Sequence, residues 1–112
     1  MPVIQWFPGH MAKARRILQE NAPLVDVVLE IVDARCPLAS RNPDLMRLVA
    51  QKPQVLILNK ADLADPAATR AWVERLSEPG RPAVALDAVK GTGAREVLAA
   101  VRRAFGPVLE AW

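Results

Sequence analysis

The stretch LILNKADLAD, positions 56 to 65, sets an amide at Asn59, a cation at Lys60 and a carboxylate at Asp62 directly behind an apolar run. A fixed carboxylate can accept two adjacent N–H donors in a bidentate arrangement, and guanine offers such a pair in its N1–H and exocyclic amine, whereas adenine does not. With Asp62 reading that edge, Lys60 can lay its methylene stem along the base plane and keep its ammonium among polar groups. The Asn59 amide can brace the loop or reach the purine. An accidental polar turn would also hold these residue types, but their fixed spacing behind a strand makes chance the weaker account.

A second stretch, LDAVKGTG at 86 to 93, has the same form: an apolar run, then small and polar residues, then a helix. A backbone N–H near Ala88 could donate to guanine O6, with Asp87 beside it, and Gly91 and Gly93 let such a loop bend close to a base. The overlapping GTGARE lacks the last glycine of a dinucleotide fingerprint and follows the last strand rather than the first. In VVLEIVDAR, Asp33 stands where a magnesium-binding carboxylate could stand, but Arg35 or the neighbouring turn is the nearer partner. No G-x-x-x-x-G-K-[ST] and no downstream D-x-x-G occurs among the 112 residues. A base has a seat here; the matching phosphate loop is not in this sequence.

Near the start, IQWFPGHMAKARR places Trp6 and Phe7 before a Pro-Gly turn and His10 at the mouth of a basic helix. The aromatics can dock on the sheet as a staple, with His10 simply beginning the helix. A functional His10 would sit at the positive end of the helix dipole, biased towards neutral imidazole, as suits a group that orients water. Lys13, Arg15 and Arg16 could meet RNA phosphates, and a solvated helix face explains them equally well.

The elements that must position these groups follow from the pattern. VVLEIVD at 27 to 33, QVLILN at 54 to 59 and AVALD at 83 to 87 have strand length and β-branched content. Four helical patterns surround them: Met11, Ala14, Ile17 and Leu18; Leu45, Leu48 and Val49; Ala68, Ala71, Trp72 and Leu76; and Val97, Leu98, Val101 and Phe105. Asn42 before Pro43 and Asp65 before Pro66 read as N-caps. SEPGRP at 77 to 82 reads as a turn before the third strand. The order α-β-α-β-α-β-α predicts an α/β fold, a Rossmann-like three-layer parallel sheet of about three strands and four helices forming a single domain over 1–112. In such a sheet the carboxyl ends of the strands share one rim, so the loops after Asp33, Asn59 and Asp87 should gather there.

Composition narrows the setting. With 52% hydrophobic and 24% charged residues the chain reads as globular and soluble, and no apolar run approaches the roughly 20 residues of a membrane span. No signal peptide is legible, so a cytoplasmic location is expected. Cys36 is the only cysteine, which excludes an internal disulfide and a thiolate-rich metal site. The net charge of +3 is compatible with an RNA or phosphate partner without indicating one.

Taken in order and spacing, WFPGHMAKARR, VDARCPLASRNP, LNKADLAD and the GTG of the third-strand loop resemble the N-terminal part of the circularly permuted GTPases of the ribosome biogenesis GTPase A family. The resemblance implies that Asn59, Lys60 and Asp62 recognise guanine, that Asp87 and Ala88 lie at the second base contact, and that His10 matches the histidine proposed to assist hydrolysis. It implies GTP or GDP as ligand, Mg2+ only in the full-length enzyme, and the large ribosomal subunit with its rRNA as partner. The family's second base loop often carries serine where this chain has Asp87 and Ala88, so the backbone contact carries over and the side-chain contact does not. Family members continue into a phosphate loop and a C-terminal helical domain that these 112 residues lack. The chain alone is therefore expected to hold the base-recognition half, to bind guanine nucleotides weakly or not at all, and not to hydrolyse GTP. The outer edge of the first strand should be unpaired and open to self-association. The competing expectation is a non-enzymatic module that binds RNA or a protein through the basic first helix.

Overall fold

Aliphatic runs that are buried on both sides can lie only in the middle of a layered structure, and the second run takes that place. In the computed structural model, which describes residues 11–41 and 43–110, three strands form one parallel sheet in the order β1-β2-β3. They are β1 (Val28–Asp33), β2 (Gln54–Asn59) and β3 (Ala83–Ala85). β1 pairs with β2 from Val28↔Gln54 to Asp33↔Asn59, and β2 with β3 from Leu56↔Ala83 to Leu58↔Ala85. The helices are α1 (Met11–Asn21), α2 (Pro43–Arg47), α3 (Pro66–Leu76) and α4 (Ala94–Glu110).

Because side chains alternate along a strand, β2 feeds two separate cores. Leu56 and Leu58 join Val32 and Ala83 against Trp72, Val73 and Leu76 of α3. Val55 and Ile57 join Val84 against Val97, Ala100 and Val101 of α4 on the other face. The result is the expected α/β/α layering. A third cluster, Leu18, Val25, Val28 and Val49, closes the end where the strands begin.

Several expected details differ. Only α1, α3 and α4 are full helices; α2 is five residues, and Leu48 and Val49 lie in the turn after it. β3 stops at Ala85 rather than 87, because Asp87 leaves the ladder to pair with Thr92 across its own loop. On α3 the inward face is Trp72, Val73 and Leu76, leaving Ala68 and Ala71 exposed. On α4, Leu98 is 58% exposed while Ala100, fully buried, takes the inward position. On α1, Leu18 is buried and Ile17 is exposed. The Asp65 cap forms as expected, its carboxylate accepting the Ala68 N–H at 2.9 Å with Pro66 in the first turn. The turn at 77–82 closes by paired backbone bonds between Glu78 and Arg81. Asn42, Trp6, Phe7 and His10 lie outside the described residues.

Candidate functional site

Parallel strands deliver their loops to one rim, and the register makes Asp33 and Asn59 direct neighbours there. The third loop is drawn in by backbone bonds: Leu86 N–H donates to Leu58 O at 2.8 Å, and Ala61 N–H to Leu86 O at 3.1 Å. The loops after β2 and β3 are thus stitched together before any side chain contributes.

Lys60 is the one non-glycine among the described residues with positive φ, at φ 59 and ψ 36. That left-handed conformation is costly for a side-chain-bearing residue and is kept where surrounding structure demands it. Here it turns the chain out of β2 into a short 3-10 turn, Ala61–Leu63, closed by Leu63 N–H on Lys60 O at 2.9 Å. The turn presents Asp62 to solvent, with no hydrogen-bond partner for its carboxylate among the described residues. Both of its oxygens are therefore available.

Asn59 looks the other way. Its Oδ1 accepts the Ala88 N–H at 3.3 Å, which ties the two loops and leaves its amide nitrogen as a spare donor. The bond is long for N–H···O, so the Ala88 N–H can be shared. Asp87 is buried, and its Oδ1 accepts the Val89 and Lys90 N–H groups at 3.1 and 3.2 Å. Its side chain holds the loop from inside. Asp87 N–H bonds Thr92 O at 2.9 Å, and Gly91 N–H returns to Asp87 O at 2.8 Å. Gly91 and Gly93 have φ of +76 and +93. At Gly93 a Cβ would collide with the Ala85 carbonyl, so only glycine lets the loop close on β3.

Between the loops lies an open pocket of about 320 Å³ with Asp62, Asp87, Lys90, Thr92 and Gly93 on its walls. It joins Asp62 and Asp87, while Asn59, Lys60 and Ala88 sit beside it rather than in its lining. Lys90 and Thr92 were not singled out in the sequence. The signal available for this loop was Asp87 followed by three residues and a glycine, the pattern of an aspartate bonding backbone just ahead of it.

Asp33 is committed elsewhere. Arg35 donates Nε to its Oδ1 at 3.0 Å and a terminal nitrogen to its Oδ2 at 2.7 Å, and the Arg35 N–H bonds Oδ1 at 2.9 Å. The guanidinium first, and then that backbone bond, hold the Asp33 carboxyl down from an ordinary 3.8 to about 2. Lys60 adds a small pull in the same direction, and Arg35 in turn feels Asp62. Charges of both signs therefore share the rim. Among the described residues no group of three or more His, Cys, Asp or Glu could hold a metal ion, and with Asp33 bound to Arg35 these residues do not fit a Mg2+ site. Lys13, Arg15 and Arg16 are exposed on α1, away from this rim at the strands' opposite ends. No helix among the described residues is long and apolar enough to cross a membrane.

No family model matches the chain. Individual relatives do. Ribosome biogenesis GTPase A of Bacillus cereus is 50% identical over 100 residues, 89% of this chain and 34% of that protein. Mitochondrial ribosome-associated GTPase 1 of Mus musculus is 47% identical over 78 residues, 70% of this chain and 24% of that protein. Short integuments 2, mitochondrial, of Arabidopsis thaliana is 40% identical over 85 residues, 76% of this chain and 22% of that protein. The chain spans about a third or less of the length of these relatives. Over the length it shares with them, it is a homologue of the ribosome biogenesis GTPase A proteins.

Proposed function

We propose that this chain is the guanine-reading segment of a circularly permuted GTPase that acts in the cytoplasm on the assembling large ribosomal subunit. The observation that carries the reading is the division of labour between Asn59 and Asp62. Asn59 spends its oxygen on the Ala88 N–H, which leaves its amide nitrogen as a donor suited to guanine N7. Asp62, without a described partner, offers two oxygens to N1–H and the exocyclic amine. Lys60 lies between them and supplies an apolar stem for the base face. The Ala88 N–H, shared with Asn59, is the donor for O6, with Asp87 acting by holding the loop. The names of the relatives support a nucleotide and a ribosomal partner, and the exposed Lys13, Arg15 and Arg16 are the groups assigned to rRNA phosphate. His10 is assigned to water positioning in the longer enzyme, where Mg2+ would accompany the nucleotide.

The test reads base preference directly. Titration of the chain with guanosine and adenosine nucleotides, followed by amide NMR shifts, should move the signals of 59–62 and 88–90 with guanosine and not with adenosine. Asp62→Ala should abolish the response. Asp62→Asn should transfer it to xanthosine, whose C2 carbonyl accepts from the new amide where guanine's amine had donated. Equal responses to adenosine and guanosine would overturn the reading. GTP turnover by the chain should not exceed that of Asp62→Ala, because charge stabilisation at the γ-phosphate needs groups this sequence does not carry.

A further inference from the structure

The outer edge of β3 is a place where the sheet stops between two helices. Leu56 N–H donates to Pro82 O at 2.9 Å and Leu86 N–H to Leu58 O at 2.8 Å, so the parallel ladder turns the amide groups of Val84 towards β2 and those of Ala83 and Ala85 outward. Of the outward groups, Ala83 N–H is taken by Ser77 Oγ at 3.0 Å, and Ala85 O lies against Gly93. Among the described residues, one acceptor, Ala83 O, and one donor, Ala85 N–H, are left without a partner on either side of Val84. An open groove of about 590 Å³ runs along them, bounded by α3 and α4. The same groove receives Thr69, whose Oγ1 is buried without a hydrogen-bond partner among the described residues.

These features complement themselves. Antiparallel strands can pair by bonds that flank a central residue pair, from the residue after it on each strand to the residue before it on the other. A two-fold axis through Val84 would let Ala85 N–H meet Ala83 O of a second copy, and the reverse. We infer that the β3 edge is a homodimer interface, at which a second copy of this chain extends the three-stranded sheet across the axis.

The charges on the flanking helices single out this occupant. Arg70 and Glu74 on α3, and Glu96 and Arg103 on α4, all line the groove, and none forms an ion pair among the described residues. Their levels match the axis. Val73, between Arg70 and Glu74, packs in the cluster that contains Ala83, and Ala100, between Glu96 and Arg103, packs with Val84. Two-fold rotation reverses each helix against its copy, so Arg70 faces Glu74 of the second copy and Glu96 faces Arg103. An extended peptide would use the two backbone groups, but only the symmetric partner uses all four charges.

Sedimentation equilibrium of the chain over a concentration series tests this. The expected result is a monomer–dimer equilibrium that weakens with added salt. Arg70→Glu should weaken it about tenfold or more, since each reversal puts like charges face to face twice. The swap Arg70→Glu with Glu74→Arg should restore it to within about threefold. Both variants alter exposed positions, and circular dichroism checks that they fold. A chain that stays monomeric throughout overturns the inference, as does a dimer indifferent to Arg70→Glu, which would place contact elsewhere, for instance at the outer edge of β1.

Discussion

Asp33 shows how a residue is removed from one chemistry by its commitment to another. Its carboxyl is held at about 2 by the Arg35 guanidinium and backbone N–H. A carboxylate whose pKa is lower folded than unfolded stabilises the fold above the unfolded value, and that contribution disappears as pH falls through the folded one. Wild type should therefore gain stability over Arg35→Ala that is complete above about pH 4 and lost as the pH falls through about 2. The gain should be small because Arg35 is about half exposed, at 48%. Urea melts at a series of pH values measure it; an advantage undiminished at the acid end would mean that Arg35 acts by packing. The Asp33–Arg35 pairing was legible two positions apart in the sequence. The role of Asp87 was not, because the same carboxylate can face a ligand or its own loop, and only the fold decides.

Among the elements, strands were the most legible, since each is a short β-branched run that must be buried on two faces. Helix faces were less so. Apolar spacing cannot say that Ala100 rather than Leu98 meets the sheet, because the angle at which α4 crosses β2 and β3 is a tertiary property. The α2 pattern failed for a similar reason: Val49 is fully buried, but it reaches the core from a turn. The β3–α4 loop gives a test at this scale. Both Gly91 and Gly93 have positive φ, but only Gly93 also meets backbone if a Cβ is added. Gly91→Ala should cost about 1 kcal/mol. Gly93→Ala should cost about 2 kcal/mol or more, because Ala85 O cannot move without breaking the strand end. Thermal or denaturant melts that ranked them the other way would contradict the loop geometry.

At the level of the whole molecule, the two ends of the sheet are built differently. The rim with Asn59 and Asp62 carries loops and available polar groups, whereas the middle of β1 and the strands' opposite end are held by polar ties from the segments around them. Arg41 grips Glu30, which is only 2% exposed, at 3.0 Å; Gln54 donates to Val49 O at 2.8 Å, and Arg81 to Ala50 O at 2.6 Å. The Glu30–Arg41 pair joins residues 11 apart across the middle of β1, and nothing in the local pattern announces it. Arg41→Ala should cost about 3 kcal/mol, since it strands a buried carboxylate, while Glu30→Leu with Arg41→Met should come close to wild type. Denaturant midpoints check both. If both variants lose the same stability, the pair's worth lies in the loop it anchors rather than in relief of a buried charge.

Asn59 ends the central strand, whose preceding residues Val55, Leu56, Ile57 and Leu58 are all buried and which is paired on both sides. Amides in such a strand exchange with solvent only when the whole domain opens, so the anchor of the base-reading loop shares the slowest motion the molecule has. Local breathing can loosen Lys60 or Asp62 without displacing the point from which they hang. Selectivity should then outlast affinity: as the chain is destabilised, the fraction able to bind falls, but the molecules still folded keep the same preference among bases.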